Sequence, residues 1–357
     1  MFDAEKRLFC HRLVRIEQGL VREGLSPRYT IMTLLGLREL ELAGIESSFD
    51  AQSIYKSFIR DKKWIEGIGD LGLLIWLTAA FDPGQLGSLL AAFDCDSAPT
   101  RYADGRQQRT MELAWFLAGL AHAAEIAPEL TTSLTDLSVA TYHRIEENQG
   151  ESGFFGHTGV KQSTAGRLRG RIGSFADQVY PIYAISKFAQ VFHVEDPLSP
   201  ALECATAICN AQGPRGQWWW LYDSRAGRVS SRYPVYSVHQ HGMAPMALFA
   251  LERIAGQNFT HFIHKGLTWL SAANELSVDM IDPAQSVIWR CILPVSRHAK
   301  YRDMALNFIG HTSQTDQELP ANDLSICFEQ RPYEFGWLLF ALARNSSSGF
   351  SAAASSD

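Results

Sequence analysis

The chain has 357 residues, of which 46% are hydrophobic and 20% charged, with a formal net charge of −6. This is globular composition with enough apolar residues for a large core. The net negative charge and the lack of a basic stripe argue against nucleic acid as a partner. The longest apolar stretch, residues 71–81, is too short to span a bilayer, and the charged first 24 residues do not resemble a signal peptide. We therefore expect a cytoplasmic protein without a transmembrane segment.

No linker interrupts residues 1–344, which we predict to form a single domain. Residues 345–357 contain too few apolar side chains to pack and are predicted to be disordered. The six cysteines lack Cys-x-x-Cys spacing and are expected to be buried free thiols in a reducing compartment. Arg167, Arg169 and Arg171 form the densest basic cluster, for which a solvated loop is favoured over an anion contact.

Helical periodicity dominates the chain. Apolar helices, which must be surrounded by other helices, are predicted to begin near Pro27, Ile68, Thr110, Ser174, Ser237 and Pro332. Amphipathic helical segments are predicted between them at about residues 4–22, 51–60, 134–146, 200–210 and 259–273. Strand-like alternation is scarce, and residues 228–238 form the one clear run. Buried helices interleaved with outer ones predict an all-α fold, an α/α toroid of about six helical hairpins.

A weak internal repeat supports this arrangement. Residues 149–155 (Gln-Gly-Glu-Ser-Gly-Phe-Phe) match residues 212–218 (Gln-Gly-Pro-Arg-Gly-Gln-Trp), and further on Asp177 aligns with His241. Each copy consists of an outer helix, a Gln-x-x-x-Gly-x-aromatic turn, a loop and an inner helix. In such a turn glycine allows a tight exit from the helix, glutamine can bond a free helix end, and the ring can cover the hairpin seam.

The Gln-x-x-x-Gly-x-Trp turn resembles the Gln-Trp repeat of terpenoid cyclases and related prenyltransferases, which are α/α toroids. A second resemblance is to sugar-active α/α barrels, including six-hairpin glycosidases and glucuronyl epimerases. It rests on the order of the aromatic turn at residues 218–223, the Tyr/His-bearing helix start at 236–240, and the leucine-rich helix that ends at Gly256. The string from Asp94 to Ser97 lacks the final acid of the cyclase Asp-x-Asp-Asp chain, and the prenyltransferase zinc spacing is missing.

Aromatic residues crowd the second repeat turn. Three consecutive tryptophans cannot all face a core from one turn, so at least one ring is expected to line a central cavity, where sugar faces stack on such rings. The alternative is a hairpin seam with one ring at the surface. The predicted substrate-binding set is Trp218, Trp219, Trp220, Tyr222, Asp223, Tyr236, Gln240 and Glu334.

Two histidines begin a predicted inner helix. His239 and His241 would point about 200° apart on a helix, so they are not expected to chelate one metal. Either could move a proton near neutral pH or could instead cap backbone groups.

Acids and a tyrosine near other inner-helix starts complete the catalytic candidates. Asp177 and Tyr180 lie on one helix face, and Asp177 could be a catalytic acid or a helix cap. Glu112 is an isolated acid in an apolar helix, either a proton donor or a partner of Arg28 or Arg290.

Parallel inner helices gather their N-terminal ends on one face of a ring. Asp177, Glu112 and His239 or His241 are therefore predicted to meet at one mouth, and Asp177→Asn is expected to abolish turnover with little effect on melting. The sequence contains no phosphate loop, zinc motif or dinucleotide fingerprint, so no cofactor or metal is expected. The leading hypothesis is a carbohydrate-active enzyme, a hydrolase, lyase or epimerase acting on a sugar unit of a glycan. The alternatives are an isoprenoid cyclase-like toroid and a non-catalytic toroid that binds a glycan or a protein.

Overall fold

The computed structural model describes residues 1–95, 109–158, 170–192, 194, 196–295 and 318–343. The predicted disordered tail and two members of the basic cluster, Arg167 and Arg169, lie outside these residues. The described part of the chain contains eleven α-helices: α1 (Pro27–Leu42), α2 (Ala51–Phe58), α3 (Ile68–Phe81), α4 (Leu86–Ala92), α5 (Thr110–Ile126), α6 (Thr131–Glu146), α7 (Phe175–Val191), α8 (Ser199–Asn210), α9 (Ala244–Ala255), α10 (Thr260–Thr268) and α11 (Pro332–Leu342). A π-helical turn, His239–Met243, leads directly into α9.

Short antiparallel strands connect the helices. They are β1 (Phe2–Asp3), β2 (Leu8–Ile16), β3 (Gly19–Leu25), β4 (Ile172–Ser174), β5 (Leu221–Asp223), β6 (Arg228–Ser231), β7 (Val235–Tyr236), β8 (Ile281–Asp282), β9 (Val287–Ile288), β10 (Cys291–Pro294), β11 (Leu324–Cys327) and β12 (Glu329–Gln330). Strand β10 pairs with both β7 and β11, and β5 pairs with both β4 and β6. The strand-like run at residues 228–238 is thus confirmed, whereas β8 to β11 had no counterpart among the predicted elements.

The helices form two concentric layers. The inner layer is α1, α3, α5, α7, α9 and α11, in which each helix packs on the next and α11 packs on α1. Helices α2, α4, α6, α8 and α10 pack outside this ring. All but one residue of α3 is buried, as expected for a helix surrounded by other helices. The predicted inner-helix starts and the α/α toroid are therefore confirmed.

Glycines allow two pairs of inner helices to touch backbone to backbone. A Cβ atom added to Gly36 of α1 would lie 2.2 Å from the carbonyl oxygen of Gly336 in α11. A Cβ atom on Gly119 of α5 would lie 2.3 Å from the carbonyl oxygen of Gly72 in α3. Any larger residue would push these helices apart, so the first pair fixes the closure of the ring.

The predicted amphipathic helix at residues 4–22 is wrong, because this segment forms the hairpin β2–β3. Strand β3 leaves the turn at Gly19, which has a φ of 124°, a conformation that favours glycine. Strand β2 also pairs with β12, and Arg12 forms ion pairs with both Glu23 and Glu329. A partner strand more than 300 residues away decides this conformation, and local periodicity carries no information about it.

Hydrogen bonds confirm the repeated turn. The Gln149 side-chain amide donates to the carbonyl oxygen of Gly153 at 2.9 Å, and that of Gln212 donates to Gly216 at 3.1 Å. Each amide also donates to a carbonyl in the first turn of the next outer helix, α8 or α10. Gly153 and Gly216 both have a positive φ. The two glutamines thus tie equivalent turns to equivalent outer helices.

Two further sequence expectations concern membranes and thiols. No described helix is long and apolar enough to cross a membrane. All six cysteines are free, and five of them are buried while Cys327 is half-buried. The prediction of buried free thiols is therefore confirmed for five of the six.

We expect Gly119→Ala to lower the free energy of unfolding by about 1–3 kcal/mol, because the methyl group would overpack the α3–α5 contact. Urea denaturation measures the change. Gly87→Ala in α4 is the matched control, since nothing lies within 4 Å of its added Cβ atom. In the control, alanine's helix propensity should leave stability unchanged or slightly raised. Equal stability of the two variants would contradict backbone contact between α3 and α5.

Candidate active site

The N-terminal ends of the inner helices meet at one end of the ring, here called the N-terminal mouth. Arg28 of α1 pairs with Asp70 of α3 and lies 6.0 Å from the ring of Trp115 in α5. Trp115 contacts Tyr180 of α7 edge to face, with ring centroids 5.3 Å apart. The mouth comprises Arg28, Tyr29, Asp70, Glu112, Trp115, Asp177, Tyr180, His239, Tyr333, Glu334 and Trp337.

Asp177 acts as a helix cap that joins two inner helices. Its carboxylate accepts hydrogen bonds from the backbone N–H and hydroxyl of Ser174, both at 2.8 Å, and from the backbone N–H of Met111 at 3.2 Å. His157 Nδ1 donates a fourth bond at 3.1 Å. Asp177 is only 1% exposed, and its hydrogen bonds are all to other residues of the fold. The carboxylate therefore fixes the start of α7 against the start of α5.

His157 is a candidate that the sequence analysis missed. Its side chain is 27% exposed, and the bond to Asp177 leaves Nε2 for another partner. Its backbone carbonyl accepts from the N–H of Thr110 and so helps to begin α5. No local pattern could have identified His157, because a loop brings it to Asp177 across 20 residues.

Glu112 has the most open carboxylate that the sequence analysis selected. It pairs with Arg109 at 3.6 Å, and its side chain remains 17% exposed. Of the partners considered from sequence, Arg290 binds Glu329 instead, whereas Arg28 binds Asp70 and also interacts electrostatically with Glu112. Glu112 directly follows Met111, whose N–H bonds Asp177, so the two acids lie at neighbouring helix ends.

Tyr180 lies deeper in the ring. Trp337 of α11 donates its indole N–H to the Tyr180 hydroxyl oxygen at 2.8 Å, which links α11 to α7 across the inside of the ring. Burial raises the pKa of Tyr180 well above its ordinary value. The phenol is therefore neutral, and its hydroxyl hydrogen can be donated to another acceptor.

Both candidate histidines are buried and uncharged. Burial lowers the pKa of His239 and of His241 to about 3, so neither titrates near neutrality as the sequence suggested. Neither ring nitrogen of His241 has a hydrogen-bond partner among the described residues. Such groups are rarely left unpaired, and π-helical turns of the kind that carries His241 often occur at functional sites. His241 is only 1% exposed, so its imidazole is an unpaired polar group inside the ring.

In the internal repeat, His239 rather than His241 occupies the position equivalent to Asp177. The Gln178 side-chain oxygen accepts from the N–H of Phe155, and that of Gln240 accepts from the N–H of Trp218. The residues preceding these glutamines, Asp177 and His239, are therefore counterparts. The π-helical turn begins at His239 and changes the helical register there, so the sequence alignment, which matched residues beyond it, is displaced.

Most of the aromatic turn is packed inside the fold. Trp218, Trp219 and Tyr222 are buried, while Trp220 is half-buried. The Tyr222 hydroxyl accepts from the N–H of Trp219. Gln240 has a structural role in holding Trp218, and Asp223 pairs with Arg171 at 3.4 Å. Trp220 is the ring of this group that retains access to a ligand.

Three arginines share one carboxylate beside the mouth. Glu329 accepts from Arg331 Nε at 2.6 Å, from Arg290 Nη1 at 2.8 Å and from Arg12 Nη1 at 3.2 Å. Arg331 also donates to the Tyr29 hydroxyl at 2.7 Å. The cluster of Arg12, Arg290, Arg331 and Glu329 is here called the arginine cluster. Its members lie on strands or strand ends, outside the predicted starts of the inner helices.

Glu334 lies next to the arginine cluster. Gln330 and the N–H of Arg331 donate to its Oε2, whereas its Oε1 has no hydrogen-bond partner and lies 3.6 Å from Arg290 Nε. Complete burial raises the pKa of Glu334 to about 8, despite the nearby arginines. Burial thus favours the protonated form of Glu334, so this acid offsets less of the cluster's positive charge than an exposed carboxylate would.

Tyr236 connects the arginine cluster to the predicted histidine. Arg290 lies over its ring at 5.1 Å, and its ring centroid is 5.0 Å from that of His239. His239 in turn contacts Phe175 at the start of α7, with centroids 4.5 Å apart. The structure thus brings Asp177, Glu112, Tyr180, His239 and Glu334 to one end of the ring.

The fold and this arrangement of helix ends define an α/α toroid with a polar, aromatic mouth. No protein-family model and no curated protein sequence matches the chain. A sugar epimerase from a ruminal bacterium is similar in structure, with a TM-score of 0.63 and 10% identity over 96% of this chain and 94% of that one.

Two further solved structures are similar. A possible member of the GH105 family from Klebsiella pneumoniae has a TM-score of 0.60 and 10% identity over 95% of this chain and 88% of its own. The unsaturated glucuronyl hydrolase of Bacillus sp. GL1, described as responsible for glycosaminoglycan degradation, has a TM-score of 0.58 and 16% identity over 95% and 91%. These likenesses confirm the toroid and the predicted resemblance to six-hairpin glycosidases.

Stability should depend on pH through Glu334. Because its pKa rises from 4.5 to about 8 on folding, the folded state binds more protons between these values, and stability falls as pH rises through this window. We expect the melting temperature of Glu334→Gln to fall less than that of the wild type between pH 5 and pH 8. Calorimetry at matched ionic strength measures both. Parallel pH profiles would contradict a protonated Glu334.

Asp177→Asn should destabilise the fold, contrary to the expectation from sequence. The amide nitrogen cannot accept the bonds that one carboxylate oxygen receives, so a loss of about 1–3 kcal/mol is expected. Asp136→Asn on the exposed face of α6 is the matched control. Urea denaturation at pH 7 measures both variants, and an equal loss would argue against the capping role.

Proposed function

We propose that the chain is a carbohydrate-active enzyme, a hydrolase, lyase or epimerase that acts on a sugar unit of a glycan at the N-terminal mouth. The observation that carries this proposal is the convergence of acids, tyrosines and arginines at one end of a closed helical ring. The similar solved structures are described as a sugar epimerase and a glucuronyl hydrolase, which agrees with this chemistry.

The substrate class that fits the mouth best is an acidic sugar. The arginine cluster has an excess of positive charge because three guanidinium groups share the Glu329 carboxylate, and only Arg12 has a second acidic partner, Glu23. Six inner-helix N-termini add positive potential at the same end. Guanidinium groups bind carboxylates through paired hydrogen bonds. Arg290 is 16% exposed in its side chain and could bind a uronate carboxylate.

Glu112 is the proposed proton-transfer group. Its carboxylate is partly open, and its weak pair with Arg109 leaves oxygen lone pairs for a substrate or water. Asp177 is proposed to act on its neighbours, holding α5 and orienting His157. The Tyr180 hydroxyl and the unpaired His241 imidazole supply hydrogen bonds to sugar hydroxyls, and His239 supports the mouth through Phe175 and Tyr236.

Substrate-binding roles follow the exposure of each predicted residue. Trp220 and Tyr236 are half-buried and are proposed to contact the sugar face. Trp218, Trp219 and Tyr222, with Asp223 and Gln240, are proposed to shape the wall from behind. Glu334 is proposed to donate a proton within the mouth instead of carrying charge.

The acids at the mouth bear on the alternative functions. An isoprenoid cyclase would require an apolar pocket with one acid at its end, whereas Asp70, Glu112, Asp177 and Glu334 all lie at this mouth. This arrangement favours the sugar hypothesis, and the assay below separates it from a non-catalytic toroid. The six free thiols support the proposed cytoplasmic location, where thiols stay reduced.

A panel of uronate-containing and neutral oligosaccharides tests the function, with products identified by mass spectrometry. We expect turnover of a uronate-containing substrate, and Glu112→Gln should lower kcat by about 10²-fold or more, the usual share of a general acid or base. The free energy of unfolding should change by less than about 1 kcal/mol, because the substitution removes the ion pair with Arg109, 3.6 Å away.

Glu146→Gln at the exposed end of α6 is the matched control and should keep full activity. Turnover that survives Glu112→Gln would exclude Glu112 from the reaction. A panel without any turnover, but with binding, would support the non-catalytic toroid.

A further inference from the structure

A second cavity lies at the opposite end of the ring, where the inner helices end. Its volume is about 730 Å³, within the range of about 300–1,000 Å³ that is usual for small-molecule sites. Its described lining residues come from all six inner helices, mostly from their C-terminal halves, and from Pro83, and no residue of the N-terminal mouth is among them. We call it the C-terminal cavity.

An aromatic layer forms the floor of the C-terminal cavity. The ring of Trp76 stacks on His122 and on Tyr183, with centroids 4.7 Å and 5.2 Å away and interplanar angles of 14° and 15°. Trp337 contacts Trp76 from the other side at 5.7 Å and bonds Tyr180 of the N-terminal mouth. This layer separates the two sites, which lie back to back along the axis of the ring.

The wall above this floor offers donors and acceptors close together. His122 Nε2 lies 2.7 Å from the Tyr183 hydroxyl, and its Nδ1 lies 3.8 Å from Glu125. Lys187 pairs with the same Glu125 carboxylate. Arg253 also lines the cavity and forms no ion pair with any residue that the structure describes. A ligand with several hydroxyl groups could both donate hydrogen bonds to this wall and accept them from it.

Charge disfavours an anionic ligand in the C-terminal cavity. Among the described lining residues, Arg38, Lys187 and Arg253 are basic, whereas Glu39 and Glu125 are acidic. Six helix C-termini add a partial negative charge of about 0.5 each, which outweighs the excess of one basic side chain. An anionic ligand is therefore disfavoured.

The remaining wall is apolar. Phe249 and Phe340 are half-buried and present ring surface to the cavity, beside Leu35 and Met246. Aromatic and aliphatic surface suits the C–H faces of a sugar ring, while the polar wall suits its hydroxyls. A neutral sugar combines the two properties that this cavity offers.

We propose that the C-terminal cavity is a second, non-catalytic binding site for a short neutral oligosaccharide. It contrasts with the N-terminal mouth, where the arginine cluster and helix N-termini favour an acidic sugar. The proposal concerns different residues from the proposed active site, so each can fail without the other.

Isothermal titration calorimetry with maltotriose, cellotriose and xylotriose tests the site, with glucuronate as the anionic comparison. Glu112→Gln protein is used so that no probe is turned over. We expect at least one neutral trisaccharide to bind, and Ala80→Trp in the same protein to weaken that binding by about tenfold or more. The new indole would fill the cavity because Ala80 is part of its lining.

Ala92→Trp on the exposed end of α4 is the matched control and should leave binding unchanged. If Ala80→Trp does not fold, Gln190→Ala combined with Arg253→Ala replaces it, and binding should weaken severalfold. In otherwise wild-type protein, Ala80→Trp should keep the turnover of the uronate substrate.

Three outcomes would overturn the proposal. The first is that no neutral trisaccharide binds. The second is that binding is insensitive to both sets of cavity variants. The third is that glucuronate binds more tightly than the trisaccharides and that Ala80→Trp abolishes this binding. Loss of turnover from every protein, with cavity binding intact, would instead remove the proposed catalytic function alone.

Discussion

Burial of helices that are apolar on every side is the constraint on which the rest of the structure depends. Helix α3 has no polar face to turn toward water, so it must be enclosed by neighbours. Closing the ring at the Gly36–Gly336 contact encloses all six inner helices without exposed end repeats. Because these helices are parallel, closure also separates their ends into two mouths of opposite dipole sign.

Burial also decides the protonation states at the N-terminal mouth. Desolvation favours the protonated form of Glu334 and keeps His239 and His241 uncharged at neutral pH. These three groups therefore contribute little charge. The guanidinium groups of the arginine cluster stay charged, which is the physical basis for proposing an acidic substrate.

Some residues that were predicted to act on the substrate or to bind it also stabilise the fold. Asp177 joins the starts of α7 and α5, and Gln240 holds the turn at Trp218. These residues still contribute to function, because a site built from six helix ends requires that each end be held in place. They do mean that loss of activity on substitution must be compared with loss of stability.

The sequence by itself determined the inner helices, the toroid and the repeated turn, because these depend on local periodicity and on glycine and glutamine at fixed spacing. It also placed Asp177 and Glu112 at helix starts, and parallel packing then brings these starts together. Only the tertiary structure decided that residues 8–25 form a hairpin, since β2 pairs with a strand near the other end of the chain. It also decided the arginine cluster, the partner of Glu112 and the contact of His157 with Asp177. Each of these depends on contacts between segments far apart in sequence, and the free energy of such contacts leaves no mark on local pattern.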